Sequence, residues 1–249
     1  STFLVPLLAV TVSLLVFLAV DFASRRDWIG LSSGFYLTSS TLGWMVNLIG
    51  LFAVIATCFQ ISGEFAQGTV KPAWVRPLGR ENWYIGKILT VALAVTLVYF
   101  LAVATVVTAS AVGPGFTDLM EKDYLVHSAR SMGWKLVLVS SLTLWGLYAV
   151  IAVSSLVSSV FNRPGGAIAT IAVLSLVMGA LAMFPAASPF LLTNCLSEPF
   201  EQMTFMSKGL PLPLEWGNLV RRGLSCGRAC MVLAAISALV LIRKKEITF

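Results

Sequence analysis

The chain has 249 residues, of which 58% are hydrophobic and only 11% charged, with a mean hydropathy of +0.90 and a formal net charge of +6. Soluble domains carry about 25% charged residues, so this composition excludes an ordinary soluble domain and predicts an integral membrane protein. Six spans of about 20 residues each use about half the chain, which leaves no room for a soluble ATPase domain. The basic excess does not predict nucleic-acid binding, because Lys and Arg are scattered over loops and membrane edges with no basic face interleaved with aromatics. Anionic lipid headgroups are the expected counter-charge.

The first apolar run, residues 3–20, is long enough to span and ends at Asp21. A signal peptide is the alternative, against which stand the lack of a basic n-region and the poor cleavage site at Ala19-Val20-Asp21. Residues 21–43 read as a polar external connection carrying Arg25, Arg26, Asp27 and Gly34. The second span, about 44–61, opens on Trp44 as an interfacial anchor. Its strongly polar members are Asn47, about a turn below the outer edge, and Gln60 at the inner end. Asn47 either lines a path or makes a helix-to-helix hydrogen bond.

Residues 62–87 are the long charge-bearing interruption, with Glu64, Lys71, Arg76, Arg80, Glu81 and Lys87 punctuated by Pro72 and Pro77. Such a stretch cannot sit in hydrocarbon. The third span, 88–112, holds threonines that can bond back to the preceding turn, and Gly113-Pro114-Gly115 stops it. Residues 116–133 read as an external loop with Asp118, Glu121, Lys122, Asp123, His127 and Arg130. His127 either titrates near neutrality or is simply solvated.

The fourth span, 134–161, has Lys135 at its outer lip, and the short turn 162–166 forces the fifth, 167–184, to be its antiparallel neighbour. On the fifth, Ala169, Ala172, Ser175, Gly179 and Ala182 fall on one face. Backbones can approach closely along such a face, as a dimer seam or a seam within the chain. Residues 185–222 form the longest connection, proline-rich yet too apolar for a disordered linker. The last span, 223–242, ends in Arg243-Lys244-Lys245-Glu246-Ile247.

No carboxylate falls inside a span, whereas ion-driven transporters and intramembrane hydrolases generally need ionisable groups at membrane depth. Arg228 lies about 21 Å from the inner end of its helix, near the outer interface, where it snorkels or meets substrate. A phosphate-cradling loop is missing too: Gly86-Lys87 is followed by Ile88, with no glycine five residues before Gly86. Cys58, Cys195, Cys226 and Cys230 with the lone His127 make no metal pattern, while an outer disulfide through Cys195 stays open.

Read in order, the central loop gives Glu64, Gly68-Thr69, Arg76-Pro77, Arg80 and then Gly86-Lys87 opening the next apolar run. This resembles the cytoplasmic loop of permease subunits in ABC type 2 exporters, the alternative being a generic basic inner loop of any polytopic protein. In that family the loop forms a coupling helix that docks on a separate ATPase subunit. The resemblance therefore implies ATPase-coupling roles for Glu64, Gly68, Thr69, Arg76, Pro77 and Arg80. It implies an all-α integral membrane fold of six transmembrane helices, with the coupling helix between helices 2 and 3 and an external helical hairpin before helix 6. The whole of 1–249 is then one permease domain.

It further implies a dimer with a second permease copy or paralogue around a central path, for which Asn47, Ser175 and Gly179 are the candidate lining. No cofactor is expected in this chain; ATP and Mg belong to the partner, and the chain itself is not an enzyme. The expected location is multi-pass in the plasma membrane, as in a bacterial inner membrane. An amphipathic surface helix ahead of the first span is implied as well; either it is absent or it precedes Ser1. Orientation rests on the resemblance more than on charge, since 8 Lys and Arg fall inside and 9 outside. Two other readings remain: a polytopic enzyme acting on lipid, for which only the region of His127 and Asp123 offers a polar cluster, and a non-energised channel or scaffold subunit.

Overall fold

Hydrocarbon gives a backbone no external hydrogen-bond partners, so a chain this apolar must satisfy its amides internally, and helices do so segment by segment. The computed structural model describes residues 4–26, 33–69, 80–121, 124–181, 183, 191–210 and 215–244. In chain order these form α1 (Leu4–Arg26), α2 (Gly34–Gln67), α3 (Arg80–Val112), β1 (Leu119–Glu121), β2 (Tyr124–His127), α4 (Ala129–Val160), α5 (Pro164–Leu181), α6 (Leu192–Ser207) and α7 (Trp216–Lys244).

Among the described residues four helices, α2 to α5, are long and apolar enough to cross a membrane, and α1 contributes a shorter apolar stretch, Leu8–Phe22. Their surfaces say the same. Along α2, Trp44, Leu48, Leu51, Ile55 and Phe59 recur every three or four residues and stand exposed, while Met45, Val46, Ile49 and Ala53 are buried. On α3 the exposed row is Ile85, Leu89, Leu93, Leu97 and Phe100, and the buried one is Val91, Val95, Tyr99, Ala102 and Val106. A helix apolar on both its packed and its open face belongs in lipid. The chain is thus a membrane-embedded helical protein.

The helices begin earlier than the apolar runs imply. Residues 34–43, expected as an external connection, form the first turns of α2. The reason is packing: Phe35, Leu37 and Leu42 are buried, and the Thr38 and Ser39 hydroxyls are bonded within the fold. Residues 116–133, expected as a plain loop, contain a two-stranded antiparallel ribbon that pairs Leu119 with His127 and Glu121 with Tyr124. Ser128 then caps α4, its hydroxyl accepting from the Ser131 amide at 3.4 Å, and the Asp118 carboxylate accepts from the Ala129 amide at 2.5 Å. Both acceptors meet donors left free at a helix start, so α4 opens at Ala129 rather than at 134.

Contacts divide the chain into two compact units, the first of Ser1–Ile49, Thr96–Leu144 and Leu196–Arg221, the second of Gly50–Val95, Trp145–Cys195 and Arg222–Phe249. In the first, the Gly34 amide donates to the Gly115 carbonyl at 2.9 Å. A Cβ on Gly34 would stand 2.5 Å from that oxygen, so this approach demands glycine. Thr38 donates to Ser110 Oγ at 2.8 Å, and the Tyr99 hydroxyl donates to the Ser140 carbonyl at 3.0 Å. Helix α6 buries Phe200, Met203 and Met206, and its Thr204 hydroxyl donates to Ser39 Oγ at 3.0 Å. The resemblance implies an external helical hairpin in this long connection; among the described residues the connection holds one helix, α6.

The second unit packs Val54 and Cys58 of α2 against Ala167 and Ile171 of α5. A further cluster gathers Ile61, Tyr84 and Ala238, flanked by Phe65, Trp83, Ile88 and Leu156. A polar ladder runs beside them. Ser62 donates to the Ser158 carbonyl at 2.8 Å, Ser158 donates to Cys58 Sγ at 3.2 Å, and the Tyr84 hydroxyl donates to Ser155 Oγ at 2.8 Å. Arg228 has its guanidinium carbon 5.9 Å from the centre of the Trp145 ring, a cation–π contact that gives this basic residue a partner within the chain.

Candidate functional site

The central loop is framed by two helix ends whose polar side chains meet. Gln60 and Glu64 stand four residues apart on α2, and Trp83 and Lys87 four apart on α3, so each pair shares a helix face. Lys87 Nζ makes an ion pair with Glu64 Oε1 and donates to Gln60 Oε1 at 3.3 Å. The other carboxylate oxygen of Glu64 accepts from Trp83 Nε1 at 3.1 Å. Side-chain exposures of 27% for Lys87 and 25% for Glu64 mean that the pair is substantially withdrawn from water. At that burial a charge without its partner is costly, so the clamp ties the end of α2 to the start of α3. Phe65 and Trp83 pack edge to face beneath it, their ring centres 5.9 Å apart.

The end of α2 is built to stop there. Gly68 has φ +69°, and its amide bonds back to the Phe65 carbonyl at 3.3 Å. A left-handed residue just past a helix is the usual role of glycine. Thr69 donates its hydroxyl to the Glu64 carbonyl at 3.4 Å, covering one more acceptor of the last turn. Gly68 and Thr69, expected as docking residues, are thus also the terminus of α2. Arg80 is the first residue of α3 and is exposed. Arg76, Pro77 and the expected coupling helix lie outside the described residues.

Lys87, Trp83 and Gln60 are the members that sequence reasoning left out of the site. The signal was available in the two facing pairs four residues apart, Gln60/Glu64 and Trp83/Lys87. What could not be read was that these ends of α2 and α3 meet.

The expected path residues fall in different units. Asn47 is exposed, donates its amide to the Gly43 carbonyl at 3.1 Å, and lines a cavity of about 370 Å³ in the first unit. Among the described residues its one hydrogen bond is to its own helix. Ser175 and Gly179 lie on α5 in the second unit, both exposed. Ala169 and Ala172 are exposed with them, while α5 packs through Ala167 and Ile171 instead. The row of small residues therefore faces outward; Ala182 lies outside the described residues.

His127 ends β2 and is half-buried. Burial, and secondarily the positive charge of Lys135, hold its pKa below the usual value. Asp118 is committed to capping α4, and Asp123 lies outside the described residues, so no carboxylate–histidine pair forms here among the described residues. No family model matches the chain, and no curated protein matches it in sequence.

Proposed function

We propose that this chain is the membrane-spanning permease subunit of an ATP-driven exporter of the ABC type 2 kind, and that a separate ATPase subunit grips the segment between α2 and α3. The observation that carries the reading is the Glu64–Lys87 clamp with Trp83. A push on a flexible loop is lost in the loop; a push on a segment whose two flanking helix ends are fastened together tilts both helices at once. The order of Glu64, Gly68-Thr69, Arg76-Pro77, Arg80 and Gly86-Lys87 supports the same reading from sequence. So does the lack of carboxylates in the apolar runs, which leaves the bundle without a visible ion-coupled energy source.

In this reading the chain has six spans, α1 and α7 joining α2 to α5, and lies multi-pass in a plasma membrane. It pairs with a second permease copy or paralogue through the outward small-residue row of α5, including Ser175 and Gly179. ATP and Mg are held by the partner, and nothing in this chain performs the hydrolysis. Arg76, Pro77 and Arg80 contact the ATPase, while Glu64 sets the angle at which the segment leaves α2.

Affinity purification of the tagged full-length chain from its native host tests the proposal. An ATP-hydrolysing subunit is expected to co-purify in stoichiometric amount, and Arg76→Glu is expected to abolish that association while leaving the permease monodisperse. A complex with no nucleotide-hydrolysing component overturns it.

A further inference from the structure

The cavity that Asn47 lines is not bounded by the clamp or by the small-residue row. It lies within the first unit, between the start of α2 and helix α6, and its rim carries Ser40, Trp44, Asn47, Ser197, Glu201 and Lys208. At about 370 Å³ it falls in the range of small-molecule sites, roughly 300–1,000 Å³. Its polar groups are unusually available. Among the described residues the hydroxyls of Ser40 and Ser197 and the carboxylate of Glu201 make no hydrogen bond or ion pair, and Asn47 spends only one amide hydrogen, on Gly43. Trp44 is 67% exposed, leaving an indole face open at the rim.

A second cavity, of about 500 Å³, shares Trp44 and Asn47 with the first and continues from them along α1 past Val16, Ala19 and Val20, with Leu48 on the α2 side. Every residue it adds is apolar. A polar cavity and an apolar one that share two lining residues lie side by side, which suits an amphiphile, head in one and chain in the other.

The charges choose the headgroup. One carboxylate, Glu201, and one ammonium, Lys208, line the polar cavity, and Lys208 Nζ is held 5.1 Å from the centre of the Tyr36 ring. An anionic headgroup would satisfy Lys208 and be repelled by Glu201; a cationic one would do the reverse. A zwitterionic headgroup satisfies both, its ammonium against Glu201 and the face of Trp44, its phosphate against Lys208 and the serine hydroxyls. We infer that the first unit holds a binding site for one zwitterionic phospholipid-like amphiphile, the headgroup between α2 and α6 and the acyl chain along α1. The site does not depend on the exporter reading, since it needs no ATPase and no second copy.

Native mass spectrometry of the full-length protein released from alkyl maltoside micelles, titrated with palmitoyl lysophosphatidylcholine, tests this directly. One tightly retained molecule is expected, at least tenfold preferred over palmitoyl lysophosphatidylglycerol. Glu201→Gln and Trp44→Ala are each expected to weaken retention at least fivefold, and Leu48→Trp, which fills the apolar cavity, to abolish the single tight step. Trp44 and Glu201 are both exposed, so their variants are expected to elute and melt like the wild type. Equal retention of the phosphatidylglycerol analogue, competition by maltoside at equal concentration, or indifference to Glu201→Gln and Trp44→Ala in folded protein overturns the inference.

Discussion

The clamp between α2 and α3 and the cavity between α2 and α6 use the same vocabulary, an acid, a lysine, a tryptophan and an amide, to opposite ends. At the clamp every group has a partner: Glu64 takes Lys87 and Trp83, and Lys87 takes Gln60 as well. In the cavity, Glu201 has no partner among the described residues, Trp44 is open, and Lys208 rests on Tyr36. The first arrangement spends its polar groups on holding two helix ends in place. The second keeps them for something outside the chain. Composition does not separate a structural cluster from a binding cluster; the number of unspent hydrogen-bonding groups does.

The sharpest way to break that contrast is to remove half of the clamp. Glu64→Ala leaves the Lys87 ammonium withdrawn from water without its counter-charge, and is expected to cost about 2 kcal/mol of stability, read as a lowered melting temperature in micelles. Glu64→Gln combined with Lys87→Met is expected to recover most of the loss, because the cost lies in the orphaned charge. If the single variant melts like the wild type, the clamp is an incidental surface pair. A smaller loss of about 1 kcal/mol is expected for Tyr84→Phe, which withdraws the donor to Ser155 within the buried ladder of the second unit.

The opposite outcome is expected in the cavity. Glu201→Gln removes a group without a partner among the described residues and Asn47→Ala one bonded only within its own helix, so each should shift stability by no more than about 0.5 kcal/mol, measured in the same melts. A large loss at either would mean that the cavity groups are spent on structure after all. The smallest effect concerns His127. Its folded pKa lies below the unfolded value of about 6.5, so the unfolded chain binds the proton more readily. The ribbon is therefore fully stable above that pH and loses stability as pH falls through the folded value. Amide exchange in β2, corrected for its intrinsic pH dependence, should accelerate on acidification in the wild type and not in His127→Gln.

Much of the helical content was legible because apolar runs of spanning length have one solution in lipid. The boundaries were not. Residues 34–43 read as loop because Thr38, Ser39 and Thr41 are polar, but Thr38 has Ser110 as its partner 72 residues away, and Ser39 has Thr204 at 165. No local pattern contains that information. The same holds for the ribbon at 119–127, whose short strands carry loop-like charges and are set by pairing. At the candidate site, Glu64 and Gly68 were legible as members of the family motif, whereas Lys87 and Trp83 became part of it only through the contacts between α2 and α3.

Buried share makes the final distinction. In its apolar window α2 is 50% buried and α5 only 11%, although their hydropathies are 2.0 and 1.9. The sequence by itself determined that both are membrane-length apolar helices, because the cost of an unbonded backbone in hydrocarbon depends on composition and length alone. Which of them is packed and which faces outward, which acid is neutralised and which is left open, only the tertiary structure decided. Those outcomes depend on partners brought together from distant parts of the chain, and a one-dimensional pattern carries no distances.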